Sequence, residues 1–300
     1  MSKIKSWVKA SRLASQSYIF FPLLLGQGIA YFFHGSFNWT LFFLIQLFGI
    51  FNQFYIVYAN DYADYEIDRL NDTYNIFSGG SRVLVEGELS RGELKIGIQL
   101  MIFLNFLVGT IISIAFNRLY INLIIIVALM LLWAYSYSPI KLSYRGGGEL
   151  LQGIGVGLIL PFFAYYAQSG ELKILIPLFF IAYLPMQLSC ALSTTLPDYP
   201  SDKIGKKKTL SVLIGYTKVR KFVIVFNILS MLLFLILNPF MFTLKKIIYI
   251  LIVPIISNFI LILIENKSTI KSKYLDNFIA LNIFSLLMFT IVLTAILFLN

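Results

Sequence analysis

Charged residues, cysteine and histidine are all scarce in this sequence. Only 13% of the 300 residues are charged, whereas a soluble domain of this length has roughly 25%. The single cysteine, Cys190, excludes an intrachain disulfide. One histidine leaves little room for a mechanism built on a Ser/His/Asp or Cys/His nucleophile. No Gly-x-x-x-x-Gly-Lys-Ser/Thr loop occurs, which argues against nucleotide binding of that kind.

Apolar sequence is abundant by contrast. Hydrophobic residues make up 59% of the chain, and the mean hydropathy is +0.83. They form long runs separated by short polar segments, and each run is near the ~20 residues that a helix needs to cross a bilayer. We therefore predict an all-α integral membrane protein with one polytopic domain over residues 1–300. Its nine predicted transmembrane spans are 17–34, 39–59, 94–116, 119–137, 149–168, 172–193, 219–237, 246–264 and 276–298.

Residues 1–16 precede the first span and are basic and amphipathic. Lys3, Lys5, Lys9 and Arg12 alternate with apolar side chains such as Trp7, which predicts a short helix lying at the membrane interface. The first apolar run has no small-residue cleavage site after it, so we expect this run to be the first span.

Basic residues are divided very unevenly between the two sides of the predicted bundle. The N-terminus and the connections after the even-numbered spans carry 20 of the 24 Lys and Arg residues. This bias predicts a multi-pass protein of the cell (inner or plasma) membrane with a cytoplasmic N-terminus. The net charge of +10 is explained by basic residues that set the membrane orientation and contact anionic lipid headgroups. The expected partner is therefore a lipid bilayer. We expect no nucleic acid and no obligate protein partner. The four remaining basic residues are Arg118, Lys173, Lys245 and Lys246.

The thirteen residues from Asn60 to Asp72 follow the second span and contain five acids. On a helix of about 100° per residue, an amide and four carboxylates fall within a sector of about 120°, and Glu66 points the opposite way. Such a row repels itself unless positive charge lies in front of it. Asp72, at the edge of the sector, is the member least expected to take part. The row consists of Asn60, Asp61, Asp64, Asp68 and Asp72.

A second acidic pair follows the sixth span. Asp198 and Asp202 are four residues apart and would share a helix face, with Pro200 tolerated in the first turn. Both acidic sites lie on the predicted cytoplasmic side. Polar or glycine-rich connections on that side supply basic residues, among them Arg82, Lys141, Arg145 and Lys207.

Carboxylates and cations on one membrane face suit a complex of a metal ion with a polyanion. Mg²⁺ is typically held by a few carboxylates plus substrate phosphate oxygens, and Lys and Arg bind the remaining phosphate charge. A diphosphate at a membrane surface suggests a lipid diphosphate whose chain lies among apolar helices. Departure of diphosphate from an allylic carbon leaves a cation, which needs an electron-rich acceptor and protection from water.

Three motifs, in chain order, resemble those of the UbiA superfamily of intramembrane prenyltransferases. They are two aspartate motifs and a Tyr-x-x-x-Lys element after the fourth span. The resemblance covers almost the whole chain and implies nine helices around a central cavity. It also implies Mg²⁺-dependent transfer of a polyprenyl group from polyprenyl diphosphate to an aromatic acceptor. The matching segments are Asn60-Asp61-x-x-Asp64-x-x-x-Asp68, Tyr137-x-x-x-Lys141 and Asp198-x-x-x-Asp202.

The resemblance implies roles for individual residues as well. The aspartates of both motifs are expected to be catalytic as metal ligands that hold the Mg²⁺–diphosphate. One Mg²⁺ is expected on Asp61, Asp64 and Asp68, and another on Asp198 and Asp202. The residues expected to bind the substrate diphosphate are Asn60, Arg82, Lys141, Arg145 and Lys207.

One departure from the family pattern follows the second aspartate motif. The family often has Asp, four residues and then Gly-Lys-Arg-Thr. Here Gly205 comes one position early and Lys206 fills the place of the glycine. Lys207 is the matching lysine by its distance from Asp202 and Thr209, and the local turn is expected to differ.

The acceptor is less strongly specified than the reaction. The loops around Arg82 and Arg145 look most like those of 1,4-dihydroxy-2-naphthoate prenyltransferases, which predicts that acceptor and a role in menaquinone biosynthesis. The acceptors 4-hydroxybenzoate, homogentisate and glycerol phosphate stay open. From another class, an ion-coupled transporter could use the same carboxylates, although its ionisable groups would be expected near the bilayer midplane and not all at one face.

Overall fold

The computed structural model describes residues 2–75, 77–172, 177–237 and 241–299, and their regular secondary structure is entirely helical. This confirms the predicted all-α class for the described residues. Helix α6 includes a π-helical segment at Gly155–Ile159. In chain order the helices are α1 Lys3–Ala10, α2 Ser17–His34, α3 Trp39–Asp68, α4 Arg91–Phe116, α5 Ile121–Ser136, α6 Gly148–Ser169, α7 Pro177–Thr195, α8 Tyr199–Ile204, α9 Leu210–Ile214, α10 Tyr216–Leu237, α11 Leu244–Ile264 and α12 Lys273–Phe298.

Six helices in the described ranges are long and apolar enough to cross a membrane, as expected of a multi-pass membrane protein. They are α3, α4, α6, α10, α11 and α12, and each coincides with a predicted span. The predicted spans 17–34, 119–137 and 172–193 correspond to α2, to the 16-residue α5 and to α7. The beginning of the span 172–193, including Lys173, lies outside the described residues. The count of nine transmembrane helices is therefore not confirmed.

Helix α3 carries the row of aspartates at its C-terminal end and is 30 residues long. At 1.5 Å per residue it extends about 45 Å, more than the ~30 Å thickness of a hydrocarbon core. The predicted span ends at residue 59, whereas the helix continues without interruption to Asp68. The acidic end thus extends past the apolar part of the helix, which confirms the predicted helical spacing of Asn60, Asp61, Asp64 and Asp68. Asp72 lies beyond the end of the helix and does not continue the row.

The N-terminal amphipathic segment is not one continuous helix over residues 1–16. Helix α1 ends at Ala10, and Arg12 adopts a φ of 43° before a 3₁₀ turn at Leu13–Gln16. The left-handed conformation at Arg12 interrupts the helix, because consecutive residues of an α-helix need negative φ. Trp7 fixes α1 to α3 by an edge-to-face contact with Tyr58, at 5.3 Å between ring centroids. The position of α1 at a membrane interface stays a prediction.

Three long connections meet at the end of the bundle where α3 ends. Residues 69–90 join α3 to α4, which begins with a capping box formed by Ser90 and Glu93. Lys9 of α1 binds this connection through Glu86 at 2.5 Å and Glu88 at 2.8 Å. The connections 137–147 and 196–215 follow α5 and α7. The polar loops that the sequence places on one side therefore surround the acidic end of α3.

Candidate active site

A cavity of about 1110 Å³ lies beside the acidic end of α3. Asn60, Asp64 and Asp68 line it, so one face of the helix presents an amide and two carboxylates to a single space. Glu66 is exposed away from the cavity, 3.6 Å from Arg69 Nη1. The opposite orientation of Glu66, which the helical spacing predicted, is confirmed.

Asp198 and Asp202 line the same cavity from the connection after α7. Asp198 immediately precedes α8 and Asp202 lies in its first turn, where Pro200 is accommodated. Asp198 Oδ1 accepts a hydrogen bond from Asn71 Nδ2 at 2.7 Å, and Asp202 Oδ2 accepts one from Thr209 Oγ1 at 3.1 Å. The structure therefore brings the two predicted acidic sites together at one cavity.

Lys207 links the two acidic sites. Its Nζ donates to Asp64 Oδ2 at 2.8 Å, and its backbone N–H donates to the carbonyl oxygen of Asp202 at 2.8 Å. Lys206 adopts a φ of 56°, a left-handed conformation that glycine adopts most readily. The family pattern has glycine at this position. Lys206 therefore adopts the left-handed conformation that a glycine would adopt there. That turn directs Lys207 into the cavity, which it lines.

Arg12 is a site residue that sequence reasoning missed. Its Nη2 lies 2.5 Å from Asp61 Oδ1, and its side chain lines the cavity. Asp61 does not line the cavity, and its carboxylate also accepts hydrogen bonds from the hydroxyl and the N–H of Ser81. In the sequence, Arg12 is one of four basic residues in the N-terminal segment, and its spacing does not separate it from the lysines.

Arg82, which the sequence predicts to bind the diphosphate, lines the cavity. Its guanidinium stacks on the ring of Tyr74, 4.2 Å from the centroid, and its Nη1 donates to the carbonyl oxygen of Asp68 at 3.0 Å. Arg82 Nε lies 3.7 Å from Glu86 Oε1. The guanidinium is thus held beside the last turn of α3, close to the carboxylates.

Lys141 and Arg145 do not line the cavity. Lys141 Nζ lies over the ring of Tyr144, 3.6 Å from its centroid, and the Tyr144 hydroxyl donates to Asp64 Oδ1 at 3.2 Å. Lys141 is therefore separated from the acidic row by one aromatic ring. Arg145 is exposed to solvent. Of the predicted diphosphate ligands, Asn60, Arg82 and Lys207 line the cavity. Lys141 lies behind the Tyr144 ring, and Arg145 lies outside the cavity.

The connection after α3 contains a further residue of the site, Asn71, and the last acid of the predicted row, Asp72. Asn71, whose amide binds Asp198, lines the cavity and holds the two acidic sites in register. Asn71 directly follows a helix in a Leu-Asn-Asp sequence, which is typical of an ordinary turn. The sequence therefore gave no reason to predict its contact with Asp198. Asp72 is exposed and pairs with Lys271 at 3.2 Å. Asp72, the member of the row least expected to take part, therefore lies apart from the other aspartates.

Acidic side chains lie close together in the cavity. Burial and the nearby Asp198 raise the pKa of Asp202, to about 7, although Lys207 acts in the opposite direction. Asp68 has no ion-pair partner in the part of the chain that the structure describes. Acidic side chains this close to one another favour the arrival of positive charge.

The donor atoms fit a Mg²⁺ ion shared with a substrate. Within the described ranges, no three acidic, His or Cys side chains lie close enough together to hold a metal by themselves. Mg²⁺ is commonly held by one or two carboxylates plus substrate phosphate oxygens, so pairs of aspartates on facing walls are sufficient. The pairs that line the cavity are Asp64 with Asp68 and Asp198 with Asp202.

Away from the carboxylates, the cavity lining becomes apolar. Helices α5, α6 and α12 supply aliphatic side chains to it. This lining suits a hydrocarbon chain, because burial of each methylene group contributes about 0.8 kcal/mol. The aliphatic residues include Leu131, Leu132, Val156, Leu160, Leu286 and Leu287.

Solved structures with a similar fold cover nearly the whole chain. A UbiA homolog from Archaeoglobus fulgidus bound to GPP and Mg²⁺ has a TM-score of 0.69 at 18% identity, over 96% of this chain and 99% of that one. The apo structure of a UbiA homolog from Aeropyrum pernix K1 has a TM-score of 0.70 at 17% identity, over 92% and 95%. At these identities the similarity shows the fold.

Two curated relatives are similar in sequence, and both are named 1,4-dihydroxy-2-naphthoate octaprenyltransferase. The Bacillus subtilis protein is 26% identical over 66% of this chain and 62% of its own length. The Haemophilus influenzae protein is 27% identical over 73% of this chain and 72% of its own length. The model of the UbiA prenyltransferase family matches residues 19–286. Because that match includes both aspartate motifs and most of the helices that surround the cavity, the chain belongs to the UbiA prenyltransferase family.

Proposed function

We propose that this protein transfers a polyprenyl group from polyprenyl diphosphate to 1,4-dihydroxy-2-naphthoate in a Mg²⁺-dependent reaction of quinone biosynthesis. One observation carries the proposal. A single cavity has carboxylates on two facing walls, with Arg and Lys side chains beside them, and aliphatic side chains over the rest of its surface. This combination matches a substrate with a metal-bound diphosphate and a long hydrocarbon chain.

The proposed metal ligands are the aspartates that line the cavity. Asp64 and Asp68 would hold Mg²⁺ on one wall, and Asp198 and Asp202 on the other. Bound Mg²⁺ would supply positive charge that stabilises the diphosphate as a leaving group. Asp61 stays a predicted ligand, and its present partners give it a second role, because it positions Arg12 at the cavity.

The basic side chains would bind the phosphate oxygens that the aspartates repel. Arg82 and Lys207 lie on the cavity wall as predicted, and Arg12 joins them. A guanidinium can donate two parallel hydrogen bonds to a phosphate, which fixes the orientation of the diphosphate as well as its charge. Asn60 would contribute a neutral hydrogen bond from the same helix face.

Heterolysis of the allylic carbon–oxygen bond would move both bonding electrons to the diphosphate and leave an allylic cation. The acceptor ring would attack that carbon and then lose a proton. Water must be kept away during this step. The connections 69–90, 137–147 and 196–215 surround the acidic end of the cavity, and we propose that they shield the cation. We further propose that this end faces the cytoplasm, as the distribution of Lys and Arg predicts.

The acceptor is the part of the proposal that most needs an experiment. Purified protein in vesicles would receive Mg²⁺, one labelled polyprenyl diphosphate, and equal concentrations of 1,4-dihydroxy-2-naphthoate, 4-hydroxybenzoate, homogentisate and glycerol phosphate. We expect prenylated dihydroxynaphthoate to dominate the products. A dominant product from another acceptor would show that dihydroxynaphthoate is not the acceptor. No transfer to any of them, with uphill solute flux in the same vesicles, would overturn the reaction class.

A further inference from the structure

A second, smaller cavity of about 250 Å³ lies on the side of α3 that faces away from the candidate active site. It is a groove between α3, α4 and α5, and it shares no lining residue with the large cavity. Tyr62 at the acidic end of α3, Lys95 in the first turns of α4, and Trp133 and Tyr137 at the end of α5 line it. The groove therefore lies at the same end of the bundle as the long polar connections.

The polar end of the groove is cationic. Lys95 is exposed and has no carboxylate partner in the described part of the chain. Arg91, one helical turn earlier, lies over the Tyr62 ring at 4.5 Å and the Tyr65 ring at 5.5 Å, and it too lacks a carboxylate partner there. The nearest acid in sequence, Glu93, is already paired with Lys3 at 2.6 Å. Two cations at this end are thus available to an anion.

Apart from Gln99, the remainder of the groove and its surroundings are mainly apolar. Ile98 and Ile102 of α4 continue the lining along the helix below Lys95. Around the groove, Ile96, Phe103 and Met130 have more than half of their surface exposed, at 66%, 62% and 55%. A membrane-spanning helix presents such residues to lipid. The groove therefore offers cations at the membrane surface and an apolar channel directly below them.

We propose that this groove binds an anionic phospholipid. Its phosphate would lie against Lys95 and Arg91, and one acyl chain would follow Ile98 and Ile102 between α3 and α4. Basic pockets between membrane helices recognise anionic headgroups, and tryptophan and tyrosine belong at the headgroup level. The ligand is bulk lipid and not the substrate, since the aspartates face the other side of α3.

Trp133 provides a direct probe of the groove, because the chain has only three tryptophans. Replacement of Trp7 and Trp39 by Phe leaves Trp133 as the sole tryptophan in the full-length protein, and its emission is excited selectively at wavelengths that tyrosine does not absorb. This protein would be reconstituted in two preparations of phosphatidylcholine vesicles. One contains acyl-brominated phosphatidylglycerol, and the other contains the same mole fraction of acyl-brominated phosphatidylcholine. We expect stronger quenching of Trp133 by the anionic lipid.

The test variant is Lys95→Gln. Its matched control is Lys218→Gln, which removes an exposed lysine from the first turn of α10. Each basic residue near the surface contributes about fivefold to the preference for anionic lipid, so Lys95→Gln should lower the preference about fivefold and Lys218→Gln should leave it unchanged. Retained prenyl transfer shows that Lys95→Gln is folded. Equal quenching by both lipids, a preference unaffected by Lys95→Gln, or displacement of the lipid by dihydroxynaphthoate would overturn the proposal.

Discussion

Lys207 Nζ and Asp64 Oδ2 lie 2.8 Å apart, although the two residues are 143 positions apart in the chain. The pair joins the connection after α7 to the last turns of α3, and both side chains are nearly completely buried. It therefore brings the two aspartate motifs to the same space. In the proposed reaction the diphosphate competes with Asp64 for the ammonium group, and Mg²⁺ competes with Lys207 for the carboxylate.

Lys207→Gln should lower the rate of prenyl transfer by about 10²-fold or more, because a cation that stabilises departing diphosphate is lost. It should also destabilise the protein by about 3–5 kcal/mol, since Asp64 is left buried without its partner. The measurements are the transfer rate in vesicles and the midpoint of thermal unfolding. Lys208→Gln removes an exposed lysine at the next position and should change neither.

The double variant Asp64→Asn with Lys207→Gln separates these two effects. Both partners become neutral, so most of the lost stability should return. The transfer rate should stay low, because a metal ligand and a phosphate ligand are both missing. Recovery of activity together with stability would show that Lys207 only neutralises Asp64.

Arg12→Gln should reduce prenyl transfer by about 10-fold to 10²-fold and raise the KM for the prenyl diphosphate, since it removes a phosphate contact. Lys5→Gln is the matched control, because Lys5 is exposed in the same N-terminal segment. Steady-state kinetics with varied donor concentration would measure both parameters. An unchanged KM for the donor in Arg12→Gln would contradict a role in diphosphate binding.

Gly80 and Gly87 lie in the same connection, and both have positive φ, 70° and 67°. A Cβ at Gly80 would lie 2.5 Å from Asp68 Oδ2 and 3.1 Å from Arg12 Nη2, whereas a Cβ at Gly87 would meet open space. Each Gly→Ala change should cost about 1 kcal/mol of stability through its backbone conformation. Only Gly80→Ala should also abolish transfer, because its methyl group displaces the site. Equal activity of the two variants would contradict this placement of Asp68.

Sequence periodicity was sufficient to predict the helical class and the acidic face of α3, whereas the convergence of the two aspartate motifs was predicted from the distribution of Lys and Arg and from the family resemblance. The first two predictions depend on the period of the α-helix and on the scarcity of charge in membrane spans, both of which are local properties. Asn60, Asp64 and Asp68 accordingly line the cavity from one face of α3.

Residues whose roles depend on long-range packing were harder to predict. Arg12 reaches Asp61 only because α1 ends at Ala10 and the chain turns through a left-handed residue. Arg145 was expected at the site and is exposed, because the turn after Lys141 directs it outwards. Asn71 has the local sequence of an ordinary turn, and only the folded chain places its amide on Asp198.

In the proposed reaction the two aspartate sites act together on a metal-bound diphosphate. The most direct test measures transfer from labelled polyprenyl diphosphate by the Asp64→Asn, Asp198→Asn and Glu66→Gln variants in vesicles, each with excess Mg²⁺ and with EDTA. Glu66 is an exposed acid on the same helix as Asp64 and serves as the control. We predict that Glu66→Gln keeps full activity with Mg²⁺ and loses it in EDTA, while both aspartate variants are inactive throughout. Full activity of either aspartate variant, or of the unaltered protein in EDTA, would show that the aspartates do not act by holding a metal-bound diphosphate.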